Sequence, residues 1–343
     1  MAAASLAARR LCRQTAVHPL GVHCAAVGND PGPQDEALRS GLWRAAEHGA
    51  TFLDTSDSYG LGHSERLVGQ FLKEWTGHRL QVGSKVGLLR GSAEHPYASR
   101  RVHHQFEQTI DNLYIEPPLD LYTLASFDFG PADRYLGPAV DQMRVLRQHG
   151  DITAIGMRGP YAPLGATMAE WRRQAERFVH LFYLIQPDVV WTRFHALTLS
   201  HGAERRGRGP LRLHPAPRRR PRHCRTLRTR RPRRLSPTCL SAARGPSGHL
   251  FASSVAAGLK RLRDRFGDAP GTLSRLALRV CLQKADHAAV IFGFRSEEQV
   301  EENYSCLGAP LSGGELAAAE AVYARIQADL RSADASPTRE APV

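Results

Sequence analysis

The sequence has no apolar run near 18 residues, which is the length a membrane-spanning helix needs, so we expect no membrane span. The Ala- and Arg-rich stretch Met1–Ala16 lacks acidic residues, as transit peptides do, but it has no long apolar core and no cleavage-like pattern. We interpret residues 1–18 as a flexible lead-in and predict a cytoplasmic protein.

Paired cysteines are also lacking. The six cysteines are scattered, with no CxxC spacing and no Cys/His pattern typical of a metal site. They are Cys12, Cys24, Cys224, Cys239, Cys281 and Cys306. The sequence therefore predicts free thiols in a reducing compartment and no metal.

Most of the chain has no net charge, although the whole sequence carries a formal charge of +13. The segment Glu204–Arg234 holds 14 Arg, no Lys and one acid, so it accounts for the entire excess. The basicity thus belongs to one segment. A chain-wide nucleic-acid surface is not indicated, and we consider nucleic acid an improbable partner.

Strand patterns alternate with helical patterns at roughly 30-residue spacing, which indicates a parallel sheet. Eight such units would close a (β/α)₈ TIM barrel, an α/β fold that 343 residues can build as one domain. Six units are visible between residues 20 and 193, and an eighth follows residue 250. We therefore predict a single barrel over residues 19–331 and a disordered tail over 332–343.

The seventh unit is unrecognisable or disrupted. Residues 202–248 form an irregular Arg/Pro-rich segment without hydrophobic periodicity. One hypothesis is that two compensating frame errors in a GC-rich gene produced it; the nucleotide sequence tests this. The rival hypothesis is a genuine insert that binds a polyanion. The stretch from Glu204 to Leu250 has no Lys and no aromatic residue, which favours frame damage.

The most specific motif is Phe52–Gly60 (FLDTSDSYG), followed by Ser64-Glu65 and by Leu67–Gly69 (LVG). It resembles the signature of the aldo-keto reductase family, in which a strand ends at an Asp, a Tyr follows five positions later, and Ser-Glu opens the next helix. Lys85 closes the third predicted strand, as that family's lysine does. The resemblance covers roughly residues 19–193 and 250–330.

This resemblance implies an NADP(H)-dependent oxidoreductase that reduces an aldehyde or ketone, or oxidises the alcohol, with Asp54, Tyr59 and Lys85 as catalytic residues. Chemistry in a barrel sits at the C-terminal ends of the strands, where these three fall. Tyr59 would donate the proton. A phenol with a free pKa of about 10 is a poor acid, and a nearby ammonium held by a carboxylate favours phenolate. The alternative is a surface Tyr beside an ordinary Asp–Lys pair.

The sequence departs from the family where a His should follow the fourth strand, because Ala125 stands there. Alanine offers no hydrogen bond, and the neighbouring Ser126 should point to the opposite side of the strand. Losing one donor to a developing oxyanion typically costs about 2.7–4 kcal/mol, so a slow reductase is expected.

The cofactor end resembles the family's adenine-binding motif. Gly293-Phe294-Arg295-Ser296, then Gln299 and Asn303, follow the eighth strand. The resemblance implies that Arg295 and Ser296 meet a 2′-phosphate at a helix N-terminus, which favours NADP(H) over NAD, while Asn303 faces the adenine. An ordinary helix N-cap with exposed polar residues is the alternative.

The nicotinamide end matches the family less well. The family's Ser-Asn after strand five is Arg158-Gly159 here, and the Gln of strand six is Trp191. A second hypothesis is therefore a catalytically impaired or inactive barrel that persists as a binding protein or a damaged gene product. Polyanion binding through the Arg-rich segment is a third. The sequence does not specify the small-molecule carbonyl or alcohol substrate or the oligomeric state.

Overall fold

The computed structural model describes residues 6–12, 15–28, 31–161, 168–192, 225–227, 246–284 and 288–334. Most of the Arg-rich segment 202–248 and the whole tail from 335 onward lie outside these residues, so the predictions for them are not tested. Within the described residues, no helix is both long enough and apolar enough to cross a membrane.

A curved parallel sheet forms the centre of the fold, and the alternation of strands and helices along the sequence correctly predicts it. The strands are β1 (Arg9–Arg10), β2 (Ala16–Val17), β3 (Leu20–His23), β4 (Phe52–Asp54), β5 (Gln81–Val86), β6 (Leu119–Leu124), β7 (Ile152–Arg158), β8 (Val189–Trp191), β9 (Arg225–Leu227) and β10 (Val290–Gly293). The hydrogen-bonded order of the parallel sheet is β10-β3-β4-β5-β6-β7-β8-β9.

Helices follow the strands and cover the outside of the sheet. They are α1 (Pro33–Glu47), α2 (His63–Glu74), α3 (Ser99–Leu113), α4 (Leu136–His149), α5 (Met168–Ile185), α6 (Pro246–Phe266), α7 (Thr272–Lys284), α8 (Glu297–Ser305) and α9 (Gly313–Asp334). A short 3₁₀ turn, Pro131–Asp133, precedes α4. Helix α4 ends before Gly150, which takes a positive φ of 87° and whose N–H bonds the carbonyls of Leu146 and Arg147.

Two apolar layers pack on the two faces of the sheet. The larger lies between strands and helices; Leu53, Val82, Ile155 and Phe292 contribute to it. The smaller is enclosed by the strands and consists of Leu11, Val17, Phe52, Leu121, Ala154, Val189, Trp191, Ala289 and Ile291, with Cys12 packed against it. Because side chains alternate across a strand, every second residue from these enclosed positions also points into the barrel.

The described residues of the N-terminal segment form a hairpin. Strands β1 and β2 pair antiparallel, and Arg9 donates hydrogen bonds to the carbonyls of Leu282 and Ala288 at 2.9 and 2.6 Å. Leu11 and Val17 are almost completely buried in the enclosed apolar layer. These two apolar side chains close one end of the barrel interior.

A strand occupies the seventh place in the sheet, within the Arg-rich segment. Arg225–Leu227 pairs parallel with β8, placing Thr226 opposite Val190 and Leu227 opposite Trp191. The sequence offers no periodicity there, so this strand was not predicted. Whether the seventh unit is otherwise disrupted stays a prediction, since its flanking residues are not described.

Candidate active site

The C-terminal ends of the strands bring together the predicted catalytic residues. The Phe52 side chain points into the barrel and packs against Gly83 on the neighbouring strand. Asp54 and Lys85 follow these residues by two positions, so their side chains also point inward, at the mouth of the barrel. Strand register places Asp54 opposite both Gly83 and His23. The structure therefore places Asp54 and Lys85 together, and His23 joins them.

The Asp54 carboxylate accepts hydrogen bonds from three side chains on three other strands. Its Oδ1 accepts from Lys85 Nζ at 2.8 Å and from the Trp191 indole N–H at 3.1 Å, and its Oδ2 accepts from His23 Nδ1 at 2.5 Å. Lys85 Nζ also donates to the carbonyl of Thr55 at 2.5 Å. All of these side chains are buried, so the carboxylate is held in one position by donors from β3, β5 and β8.

Electrostatics favours the ionised form of Asp54. Burial alone raises the pKa of the carboxyl, but the Lys85 ammonium and the hydrogen bond from His23 outweigh it and lower the pKa to about 2. The negative charge of Asp54 is therefore present across the physiological pH range, and it fixes the Lys85 ammonium at the barrel mouth.

Tyr59 lies on the loop between β4 and α2, half-buried above this pair. The Lys85 Nζ is 4.8 Å from the centre of the Tyr59 ring, and the His23 ring meets that ring edge-on with centroids 5.1 Å apart. The backbone of Tyr59 is anchored in a turn by bonds to Ser56 and Ser64. The phenol is thus positioned within reach of the buried cation.

The loop that carries Tyr59 fits closely against the β3–α1 loop. Gly60 has a positive φ of 61°, and a Cβ there would lie 2.1 Å from the carbonyl oxygen of Gly28. Only glycine tolerates both the backbone conformation and this close approach.

Ser64 is the second residue of α2, which begins at His63 with Gly62 at the cap position. Its hydroxyl donates instead to the carbonyl of Cys24 at 2.5 Å and bonds the Thr55 hydroxyl at 2.8 Å. Ser64 therefore ties the Tyr59 loop to the end of β3 rather than capping the helix.

The acid of the Ser-Glu pair is buried beneath the same loop. Glu65 accepts hydrogen bonds from Ser84 at 2.7 Å, Thr109 at 3.0 Å and Asn112 at 2.9 Å. Burial nevertheless dominates and raises the pKa of Glu65 to about 7; burial likewise raises the pKa of Asp57 to about 6. The Glu65 carboxyl joins α2 to β5 and α3, and it thereby supports the strand that carries Lys85.

Strand β6 ends at Leu124, and the next residue, Ala125, donates its N–H to the carbonyl of Val86 at 2.9 Å. The Oγ of Ser126 accepts the N–H of Asp128 in a local turn at 3.1 Å. Arg158, at the end of β7, reaches toward the carbonyl of Ala125 with its Nη1 at 3.5 Å.

The predicted cofactor residues gather at the junction of β10 and α8. Gly293 pairs with His23, Ser296 is the residue before the first turn of α8, and Arg295 is exposed, with its backbone N–H donating to Gln299 at 3.0 Å. The hydroxyl of Ser296 bonds Glu298 and thereby lowers the pKa of that carboxyl.

Asn303 is completely buried, and within the described residues neither its Oδ1 nor its Nδ2 has a hydrogen-bond partner. An unpaired buried amide is costly, and a ligand edge that carries both a donor and an acceptor, such as adenine, would satisfy it. On this observation the residues of the β10–α8 junction fit a nucleotide cofactor.

Two participants were missed by the sequence reasoning. His23 could have been found, because it ends the first predicted strand and so meets Asp54 at the same edge of the sheet. Trp191 was noted only as a departure from the family, and its bond to Asp54 needs the closed curvature of the barrel. Among the described residues no cluster of His, Cys, Asp and Glu could hold a metal ion.

An open pocket of about 410 Å³ lies beside the Tyr59 loop, in the groove between α2 and α3. Asp57, Arg66 and Arg101 are among its lining residues. None of the residues around Asp54 lines it, so it is separate from the barrel mouth.

Comparison with known proteins agrees with this geometry. Residues 20–172 match the model of the aldo/keto reductase family. An aldo-keto reductase of Gibberella moniliformis is 31% identical over 184 residues, covering 51% of this chain and 48% of that protein. The alignment thus spans about half of that relative. L-galactose dehydrogenase of Arabidopsis thaliana is 22% identical over 305 residues, covering 85% and 84% of the two chains.

Solved structures share the fold over nearly the whole chain. The glycerol dehydrogenase of Gluconobacter oxydans superposes with a TM-score of 0.66 at 17% identity, covering 94% of this chain and 96% of that one. An enzyme of Klebsiella pneumoniae, solved with NADP and acetate, gives a TM-score of 0.57 at 18% identity, with 92% and 95% covered. At such identities the likeness establishes the (β/α)₈ barrel.

Proposed function

We propose, from the premise that the chain is related to the aldo/keto reductases through its domain at residues 20–172, that it is an NADP(H)-dependent oxidoreductase. Its substrate would be an aldehyde or ketone, or the corresponding alcohol. The single observation that carries this proposal is the buried Lys85 ammonium, paired with Asp54 and 4.8 Å from the centre of the Tyr59 ring at the mouth of the barrel.

The cofactor, when bound, supplies the hydride that reaches the carbonyl carbon. Gly293, Arg295, Ser296, Gln299 and Asn303 would hold its adenosine end. The unpaired amide of Asn303 supports an adenine there. The exposed Arg295 guanidinium beside the N-terminus of α8 suits a 2′-phosphate, which favours NADP(H) over NAD.

Tyr59 would transfer the proton that balances the hydride. In reduction its hydroxyl proton moves to the substrate oxygen, and in oxidation the phenolate takes it back. The Lys85 ammonium stabilises the negative charge left on the Tyr59 oxygen, while the ionised Asp54 keeps that ammonium in place. His23 packs edge-on against the phenol ring and limits its rotation.

The alanine at position 125 leaves the substrate oxygen without one hydrogen-bond donor that the family normally provides. We therefore expect slow turnover, because a missing oxyanion donor typically costs about 2.7–4 kcal/mol of transition-state stabilisation.

The test is to replace Tyr59 by Phe and to measure NADPH binding by fluorescence together with aldehyde reduction. Y59F should lower kcat by about 10²- to 10⁴-fold, the range typical of a lost general acid, and leave NADPH affinity unchanged. Tyr183→Phe, on the exposed face of α5, is the matched control and should behave like wild type.

Equal activity of Y59F and wild type would remove Tyr59 from the mechanism. Absence of NADPH binding at high micromolar cofactor would remove the reductase function. Binding without turnover in the wild type would identify a barrel that has kept its cofactor site and lost catalysis.

A further inference from the structure

The pocket between α2 and α3 lies outside the barrel mouth. Its volume of about 410 Å³ is within the range of pockets that hold small molecules. One wall belongs to the loop that carries Tyr59, through Asp57, Leu61 and Gly62, and another belongs to α3. A molecule bound there would contact the Tyr59 loop without touching the residues around Asp54.

Two half-buried arginines line this pocket, one from each helix. Arg66 on α2 places its Nη1 at 3.4 Å from the side-chain oxygen of Asn112. Arg101, in the first turn of α3, donates to the side-chain oxygens of Gln105 and Gln108 and to one backbone carbonyl. All of these acceptors are uncharged. Among the residues that the structure describes, neither arginine forms an ion pair with a carboxylate.

The contacts of the two arginines indicate how far apart their guanidinium groups lie. Gln108 accepts from Arg101 and Asn112 accepts from Arg66, and these two acceptors are four residues apart on α3. Four residues of helix correspond to a rise of about 6 Å. A single phosphate between the two guanidinium groups can therefore accept a charge-assisted hydrogen bond from each, because its oxygens point in tetrahedral directions.

Asp57 is the buried acid of the pocket, and it is only 2% exposed. Its Oδ1 accepts the hydroxyl of Ser56 at 2.9 Å, whereas its Oδ2 has no hydrogen-bond partner among the described residues. An unpaired buried carboxylate oxygen is costly, and a hydroxyl of a bound molecule would satisfy it. Asp111, an exposed acid that also lines the pocket, offers a second acceptor for hydroxyl groups.

We propose that the pocket between α2 and α3 binds a phosphorylated polyol, with Arg66 and Arg101 on the phosphate and Asp57 on a hydroxyl. An anion without hydroxyls would leave the Asp57 oxygen unpaired, and a neutral polyol would leave both arginines without a counter-charge. The site does not depend on the proposed reductase function, since none of its residues belongs to the barrel mouth or to the cofactor junction.

The experiment is calorimetric titration of the cofactor-free protein at pH 8 with sorbitol 6-phosphate, inorganic phosphate and sorbitol. Burial raises the pKa of Asp57 to about 6, so at pH 8 its carboxylate is ionised and can accept a hydroxyl. Sorbitol 6-phosphate should bind about 10-fold or more tightly than inorganic phosphate, the gain expected for a hydrogen bond to a charged group. Sorbitol should show no binding.

Variants assign the binding to this pocket. Arg66→Met and Arg101→Met should each weaken sorbitol 6-phosphate about 10-fold or more, and R66K and R101K, which keep the charge, should fall between. Asp57→Asn should reduce the preference for sorbitol 6-phosphate over inorganic phosphate. Arg100→Met, the exposed neighbour on α3, is the matched control and should bind like wild type.

Arg295→Ala separates this pocket from the junction of β10 and α8, where a phosphate of the cofactor is proposed to bind. Loss of sorbitol 6-phosphate binding in R295A, together with its retention in R66M and R101M, would overturn the proposal. Absence of binding in the wild type would do the same. Equal affinities of the wild type for sorbitol 6-phosphate and inorganic phosphate would refute the contact between Asp57 and a hydroxyl, and with it the polyol.

Discussion

At the scale of single residues, the site contains two buried carboxyl groups whose pKa values are shifted in opposite directions. Asp54 is surrounded by donors, and its pKa is lowered to about 2. Glu65 accepts three hydrogen bonds but is so deeply buried that its pKa rises to about 7. One acid stays charged at the mouth, and the other changes its charge near neutral pH within the supporting structure.

Glu65→Gln should flatten the pH dependence of stability. The folded protein binds a proton at Glu65 that the unfolded chain releases above its ordinary pKa near 4.5, so stability falls as pH rises through about 7. From the shift, this loss amounts to roughly 3 kcal/mol by pH 8.5. Urea unfolding between pH 4 and 8.5 should show the decline in wild type and a smaller one in E65Q.

The exposed Glu116→Gln is the control and should retain the wild-type decline. Identical slopes for wild type and E65Q would mean that Glu65 keeps an ordinary pKa in the folded protein.

The sequence could predict Asp54 and Lys85 as neighbours, because both end strands and parallel strands bring their carboxyl ends to one edge. It could not predict the protonation of Glu65, which depends on how completely α2, α3 and β5 exclude water. The inward direction of Arg158 likewise depends on which face of β7 is enclosed, and the buried position of Ala154 sets that face.

At the scale of elements, the junction of β10 and α8 brings the C-terminal part of the chain into contact with β3 and α1. Gly293 lies beside His23 in the sheet, and the first turn of α8 is tied to α1 by the ion pair of Glu297 with Arg44 at 2.7 Å. That pair turns one carboxylate of the helix start toward α1. The other carboxylate of this turn, Glu298, stays at the helix start with Ser296, beside the positive end of the helix dipole.

Arg295→Ala should weaken NADPH binding selectively. Loss of a charge-assisted hydrogen bond to the 2′-phosphate should raise Kd for NADPH about 10-fold or more and leave Kd for NADH nearly unchanged. Fluorescence titration with both cofactors measures the ratio. Arg100→Ala, an exposed arginine in the first turn of α3, is the control; equal weakening of both cofactors in R295A would contradict a 2′-phosphate contact.

At the scale of the whole molecule, side chains fill the barrel interior and leave no space for a side chain at Gly83. A Cβ on Gly83 would lie 2.8 Å from the Phe52 ring and 3.5 Å from the Leu121 side chain. Interiors packed this densely resist added volume. The inward glycines are therefore needed for the large residues opposite them.

Gly83→Ala should lower the free energy of unfolding by about 1–3 kcal/mol, the usual cost of overpacking. Gly137→Ala, on the exposed start of α4 with nothing within 4 Å of an added Cβ, should be neutral or slightly stabilising. Guanidinium unfolding of both variants measures the difference. Equal stability of the two would indicate a loosely packed interior.

The barrel as a whole could be predicted from the alternation of strand and helix patterns, but two of its parts could not. Strand β9 has only the three residues Arg225–Leu227, too few for an apolar pattern, and it is recognised by its pairing with β8. Among the described residues of the N-terminal hairpin, Leu11 and Val17 are the buried apolar ones, too few to give a recognisable period.

The hydrogen bond from Trp191 to Asp54 has a consequence for the fluorescence of the protein. Strands β4 and β8 are four places apart in the sheet order, so this bond crosses the width of the barrel. The emission of the Trp191 indole therefore depends on a carboxylate from a strand on the opposite side of the barrel. Any widening of the mouth separates this chromophore from its charged neighbour, so the optical signal and the geometry around Tyr59 change together.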